Sequence, residues 1–212
     1  METRRIGISL GNIGALHDGL GEFALQIGTR VAAQAPAWRA QHGIAIDFHL
    51  REKLFGLFGP DVGYLPVSRW QRLHHVQPQP FALWHSLHQL NKNLPPNMEP
   101  GGPRVVTVHD LNYVYGRNAF STWRHGRRTR ALMRRTDVVV AISRHTAADV
   151  QRELGWTGPL EVISSPTASR ACILALSSVL NPARSCPARS GAATSTSTCA
   201  GVWLNRFSLM AY

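Results

Sequence analysis

Two residues able to hold or pass a proton, His109 and Asp110, close the run RVVTVHD. An imidazole there can donate a hydrogen bond to a sugar or phosphate oxygen, which makes the pair the catalytic candidate; a structural histidine satisfied by its neighbours is the plain alternative. A second candidate lies in the glycine-rich stretch 11–21, GNIGALHDGLG, where Gly19, Gly21 and Glu22 fall in a literal G-x-G-x-x-A pattern and His17 and Asp18 add polar groups able to grip sugar hydroxyls. Glycines before a helix let a phosphate approach backbone N–H groups closely. A dinucleotide fingerprint needs its tight turn directly after the strand. Here roughly eight residues intervene, and the acidic Asp47 comes late, which counts against an NAD(P) site. Ser143 ends a second apolar run and suits a helix N-cap, its hydroxyl accepting a first-turn N–H. His85 and His88 have a ligand-like spacing, but no carboxylate or cysteine joins them, and His74 and His75 add nothing to a set, so no metal is expected. His109 and Asp110 likewise lack the further spaced ligands of a metal-dependent phosphohydrolase.

These residues need elements to place them. The β-branched runs 104–108 and 137–142 are continuous and end in polar residues, as strands buried on both faces do. Further strands are expected at 5–10, 44–50 and 81–85, with a last one starting at Leu160. Helices are expected at 22–35, stopped by Pro36, at 121–135, and from Ser143 through Leu154, closed by Gly155. Residues 53–58 and 63–70 read as irregular, and 91–103, rich in proline and glycine, as a loop. The alternation predicts an α/β domain, a doubly wound, Rossmann-like parallel sheet with helices on both faces. In such sheets ligands bind beyond the carboxyl ends of the strands, where His109, Asp110 and Ser143 stand.

The chain has 212 residues and a formal net charge of +11, which favours anionic partners. Arg124, Arg127, Arg128, Arg130, Arg134 and Arg135 crowd the helix at 121–135. A solvated face accounts for such a run. The functional reading is attraction to an anionic membrane, with Trp123 as interfacial anchor and Arg124, Arg127 and Arg128 beside it. No nucleic-acid module is recognisable. No run approaches the ~18 apolar residues of a membrane span, and residues 1–9 lack a signal peptide's apolar core, so the cytoplasm is the expected location.

Residues 164–212 differ from all that precedes. They contain no Asp, Glu, Lys or His, while every one of the chain's 12 acidic residues lies earlier. All three cysteines, Cys172, Cys186 and Cys199, fall there in no zinc spacing. Two domains are therefore read: 1–163 as the α/β unit and 164–212 as a Ser/Ala/Thr-rich tail. The tail is either a flexible extension or the product of a shifted reading frame, since a shifted frame of a GC-rich gene gives this composition.

GLGEFALQIGTRVAA after a strand, then RVVTVHDLNYVY, then RRTDVVVAISRHTAADVQRELG and PLEVI resemble the N-terminal domain of GT-B retaining glycosyltransferases of the family 4, or group 1, type. The resemblance spans roughly residues 5–163. It implies an acceptor-side domain facing a second domain that binds a nucleotide sugar, the co-substrate; no cofactor is implied. His109 would contact the transferred sugar, with Asp110 next to it. Gly19 and Gly21 would border donor phosphates and acceptor, and Ser143 would open a helix near the cleft. A glycan or lipid-linked acceptor and peripheral contact with anionic membrane follow from the same likeness, the arginine helix fitting the latter. The chain departs from the pattern after Ile163, where SSPTASRAC replaces the usual Asn-Gly turn. The donor domain, with its Arg and Lys for the diphosphate and its paired glutamates, does not follow. A chain truncated or frameshifted near Ile163 and inactive alone is the resulting expectation. A stand-alone NAD(P)-binding protein and a non-catalytic membrane-docking module are the alternatives.

Overall fold

The computed structural model describes residues 3–11, 13, 16–67, 79–91, 97–115 and 119–163. The tail 164–212, with its three cysteines, and His74 and His75 lie outside the described residues. Seven strands form one sheet: β1 (Arg4–Ser9), β2 (Ile44–Leu50), β3 (Gly63–Pro66), β4 (Phe81–Ser86), β5 (Arg104–Val108), β6 (Val138–Ala141) and β7 (Leu160–Val162). Their order is β3-β2-β1-β4-β5-β6-β7, and every pairing is parallel. Strand order reverses between β1 and β4, which creates the crevice where ligands of open α/β sheets bind. The Rossmann-like sheet expected from the sequence is present.

Helix α1 (Gly19–His42) connects β1 to β2; α2 (Ala119–Met133) and α3 (Arg144–Leu154) flank β6. Side-chain alternation assigns them to opposite faces. Val105, Val138 and Val140 join the core built with Ile27, Val31 and Ala35 of α1. Their strand neighbours Val106 and Val139 join Val108, Leu132 and Met133 of α2 and Val150 of α3. Helices therefore cover both faces, and the continuous Val runs of β5 and β6 are explained by burial on either side.

Beyond one-residue shifts at the ends of β1, β4 and β6, four differences from the sequence reading stand out. Helix α1 starts earlier than Glu22, because Asp18 caps it: its Oδ1 accepts the Gly21 N–H at 2.7 Å. Nor does α1 stop at Pro36. That residue is exposed, so water can take the carbonyl left without an N–H partner, and Trp38 packs on the core two residues later, drawing the helix on to Gly43 in the left-handed conformation. The stretch at 63–70 contains β3, which pairs Gly63–Pro66 with Asp47–Leu50. Its residues GYLP carry little strand signal, and proline is tolerated because β3 is an edge. The basic helix runs from Ala119 to Met133 rather than 121–135.

Pro36 yields a prediction. Pro36→Ala restores a backbone bond at an exposed site and is expected to stabilise by about 1–2 kcal/mol, the helix-interior cost of proline less its stiffening of the unfolded chain. A lowered urea midpoint for the variant would contradict the placement of Pro36 inside α1.

Candidate functional site

The carboxyl edge of the sheet beside the β1–β4 reversal gathers several of the candidate residues. His109 and Asp110 leave β5 there, and their backbone is held on all sides. The His109 N–H donates to Gln89 Oε1 at 3.1 Å, and Gln89 Nε2 donates to the Asp110 carbonyl at 2.7 Å. The His109 carbonyl accepts from Thr146 Oγ1 at 3.0 Å. Asp110 Oδ1 accepts the Asn112 N–H at 3.2 Å, an Asx turn that starts the one-turn 3-10 helix Asn112–Tyr115. Tyr115 in turn donates to the buried carboxylate of Asp149, which also pairs with Arg152, so the segment after β5 is fastened to α3.

The His109 ring bonds through Nε2 to the Leu87 carbonyl at 2.9 Å. Phe23 of α1 meets the ring edge-on, with centroids 4.7 Å apart at 85°. His88 lies beside it, ring centroids 5.8 Å apart. Burial pushes the His109 pKa below its ordinary value, against the Leu87 carbonyl and the Asp110 charge, which both raise it. His88 is lowered to about 4, first by burial and then by His109, with Asp110 opposing. Both rings are neutral near pH 7. Asp110 itself is exposed to solvent.

Ser143 caps α3 as the sequence suggested, its Oγ accepting the Thr146 N–H at 3.0 Å. The same oxygen lies 3.0 Å from Thr146 Oγ1. Because Thr146 Oγ1 donates onward to the His109 carbonyl, Ser143 acts on the site through Thr146.

At the start of α1 the glycine motif has a different character from a phosphate cradle. The Gly21 N–H is already taken by Asp18, and Glu22 places a second carboxylate in the first turn. Two carboxylates at a helix N-terminus use up its attraction for anions and offer acceptors for hydroxyl donors instead. His17 is exposed just ahead of them, and Gly19 has open space around it. Below, Gly11 turns the chain with φ +59°, and any Cβ there would lie 2.8 Å from the Asn91 side chain. Asn91 donates to Ser9 Oγ, which is 2.7 Å from His49 Nδ1, so a buried polar trio holds this turn at the end of β1.

His85 and His88 do not share a site. His85 is buried, its Nε2 2.9 Å from Thr107 Oγ1, and burial lowers its pKa to about 4. An unfolded imidazole protonates below about 6.5. Between that value and about 4 the unfolded chain therefore binds the extra proton, and stability falls as pH drops through the window, by up to tenfold in the folding constant per pH unit. Urea midpoints measured from pH 7 to 4.5 are expected to decline already above the carboxylate range. A flat profile down to pH 5 would rule out a neutral buried His85.

The arginine helix α2 begins on the same edge. Phe120 is 68% exposed and Trp123 55%; their rings stack at 6.0 Å, and the Arg127 guanidinium lies 5.7 Å over the Trp123 ring. Arg124, Arg127 and Arg128 are all exposed. Among the described residues no helix is long and apolar enough to cross a membrane.

Sequence reasoning missed Gln89, Leu87, Thr146 and Phe23. Phe23 and Thr146 contact His109 from helices and Gln89 from the turn after β4, while Leu87 does so through its carbonyl, which no side-chain pattern reveals. Gln89 alone left a trace, as an amide in the turn that follows a strand in HSLHQLN.

Comparison with known proteins follows the same line. Residues 26–167 match the family model described as Glycosyltransferase Family 4, well over half of the chain. A solved structure of sucrose-phosphate synthase from Thermosynechococcus elongatus is similar with a TM-score of 0.48 and 14% identity, over 76% of this chain and 47% of that one. A second structure, of a partial chain of the same synthase, is similar with a TM-score of 0.46 and 14% identity, over 85% of this chain and 99% of that one. The chain thus spans about half the length of the first. No curated protein sequence matches. With its Rossmann-like sheet and the match over residues 26–167, the chain belongs to glycosyltransferase family 4.

Proposed function

We propose that residues 1–163 form the acceptor-side half of a glycosyltransferase that moves a sugar from a nucleotide-sugar donor to a polysaccharide or lipid-linked acceptor, and that the 212-residue chain does not turn over alone. The observation that carries this reading is the backbone-locked His109–Asp110 pair at the strand-order reversal of a family 4 chain. His109 contacts the sugar, and Asp110 lies beside it in the cleft. The start of α1 grips acceptor hydroxyls: His17, Asp18 and Glu22 supply polar groups, and Gly19 and Gly21 leave room for them. Ser143 positions this edge through Thr146. Inactivity alone follows from charge. Among the described residues, the titratable side chains that touch the His109 ring and cap α1 are a neutral imidazole and carboxylates, which do not stabilise the diphosphate that leaves the donor, a term often dominant in catalysis.

The exposed Phe120–Trp123 pair with Arg124, Arg127 and Arg128 forms a peripheral contact with anionic membrane at its cytoplasmic face, where a lipid-linked acceptor resides.

Turnover of radiolabelled nucleotide sugars by the purified chain, with and without a separately expressed family 4 donor domain, tests the reading. No turnover alone and measurable transfer with the added domain are expected. Full turnover by the chain alone would overturn the claim of inactivity, and micromolar binding of NAD or NADP in its place would favour a dinucleotide-binding protein. Salt-sensitive binding to acidic vesicles, lost in Trp123→Ala, tests the membrane contact.

A further inference from the structure

The two imidazoles at the carboxyl edge have their protons placed by different partners. His88 Nδ1 accepts the Leu90 N–H at 3.1 Å, so that nitrogen carries a lone pair and the ring proton is on Nε2. His109 Nε2 faces the Leu87 carbonyl at 2.9 Å. A carbonyl only accepts, so Nε2 carries the proton and Nδ1 is the lone pair. Among the described residues, one N–H and one lone pair are left without a partner on neighbouring, partly exposed rings whose centroids are 5.8 Å apart, close enough for one hydroxyl to lie between the two rings. Phe23 walls the His109 ring on its edge.

We propose that His88 and His109 form a clamp for one sugar hydroxyl, His88 Nε2–H donating to the oxygen and His109 Nδ1 accepting its proton. The proposal rests on the glycosyltransferase reading and assigns this point of the edge to a neutral hydroxyl. A phosphate oxygen has no proton for the His109 lone pair, and two neutral rings offer it no charge. A cation would find one donor and one acceptor where it needs several acceptors. Only a group that both gives and takes a hydrogen bond satisfies both rings. Burial keeps both rings in the neutral form that this division requires.

Long-range proton–nitrogen correlation spectra of the histidine rings in the full 212-residue chain at pH 7 test the first half. Both His88 and His109 are expected to show the Nε2–H tautomer; an Nδ1–H on either overturns the clamp. Saturation-transfer spectra with methyl α-D-glucopyranoside, its mannose and galactose counterparts, and the singly deoxygenated glucosides test the second. His88→Phe is expected to weaken glycoside binding about tenfold, as the loss of a buried hydrogen bond implies, while His88→Gln, which keeps a donor near the Nε2 position, retains it. One deoxyglucoside is expected to bind the wild type as weakly as His88→Phe binds the parent glucoside, with no further loss in that variant. Undiminished binding by His88→Phe overturns the clamp and leaves the glycosyltransferase reading standing. Failure of the wild type to bind any glycoside overturns both.

Discussion

Gly7→Val is expected to lower the unfolding free energy by about 3 kcal/mol or more, a large share of the roughly 5–15 kcal/mol that holds a domain of ordinary stability. Gly7 is the middle of β1, hydrogen-bonded between β2 and β4. A Cβ added there would lie 2.1 Å from Cε3 and 2.4 Å from Cζ3 of Trp84. The indole has nowhere to go. It is 3% exposed, packed edge-on against Phe81 at 5.1 Å and against His49 at 5.5 Å. Even Ala should be harmful, and Val adds two methyl groups to the collision. The strand direction and the sheet register make the effect specific: Gly7 pairs with Trp84, whereas its neighbours Ile6 and Ile8 face the α1 side. The double variant Gly7→Ala/Trp84→Leu should recover part of the loss, since the smaller side chain vacates the space. A Gly7→Val protein with an unchanged urea midpoint would mean that Trp84 does not lie over β1.

Gln89→Ala is expected to cost about 2–4 kcal/mol, because truncating this buried amide orphans both the His109 N–H and the Asp110 carbonyl, each worth about 1–3 kcal/mol when left without a partner. The effect is local as well as global. Gln89 sits just past β4 and ties its end to the end of β5, so the His109 amide should exchange with solvent much faster in the variant than amides in the middle of β5. Gln89→Glu keeps an acceptor for His109 and loses the donor to Asp110, and should fall between the two. Equal His109 exchange in wild type and Gln89→Ala would show that the amide does not fix the catalytic candidate.

Much of this architecture was legible because local signals and tertiary demands agree. The Val runs of β5 and β6 could only be buried on both faces, and they are. Ser143 and Gly155 bracket α3 as a cap and a left-handed terminator should. The early start of α1 comes from a local cap at Asp18, while in two other misreadings tertiary packing overrode a local rule. Pro36 ends helices in isolation, but Trp38 and Gly43 recruit the chain beyond it. β3 has the composition of a turn and becomes a strand because β2 offers it an edge to pair with. For the site, His109 and Asp110 were legible as polar residues ending an apolar strand. The meaning of the glycine motif was not, since its fate depends on where the Asp18 carboxylate turns. The proton positions of His88 and His109 depend on backbone groups of Leu90 and Leu87, which any sequence supplies.

The central claim is that the carboxyl edge around His109 is where sugar binds. Amide chemical-shift mapping of the 212-residue chain, titrated with UDP-glucose and with short glucans, tests it most directly. Perturbations are expected to cluster at residues 17–23, 87–91, 109–115 and 143–146. Perturbations confined to the opposite end of the sheet, around Thr3, Arg4 and Glu99, or none at saturating sugar, would contradict it.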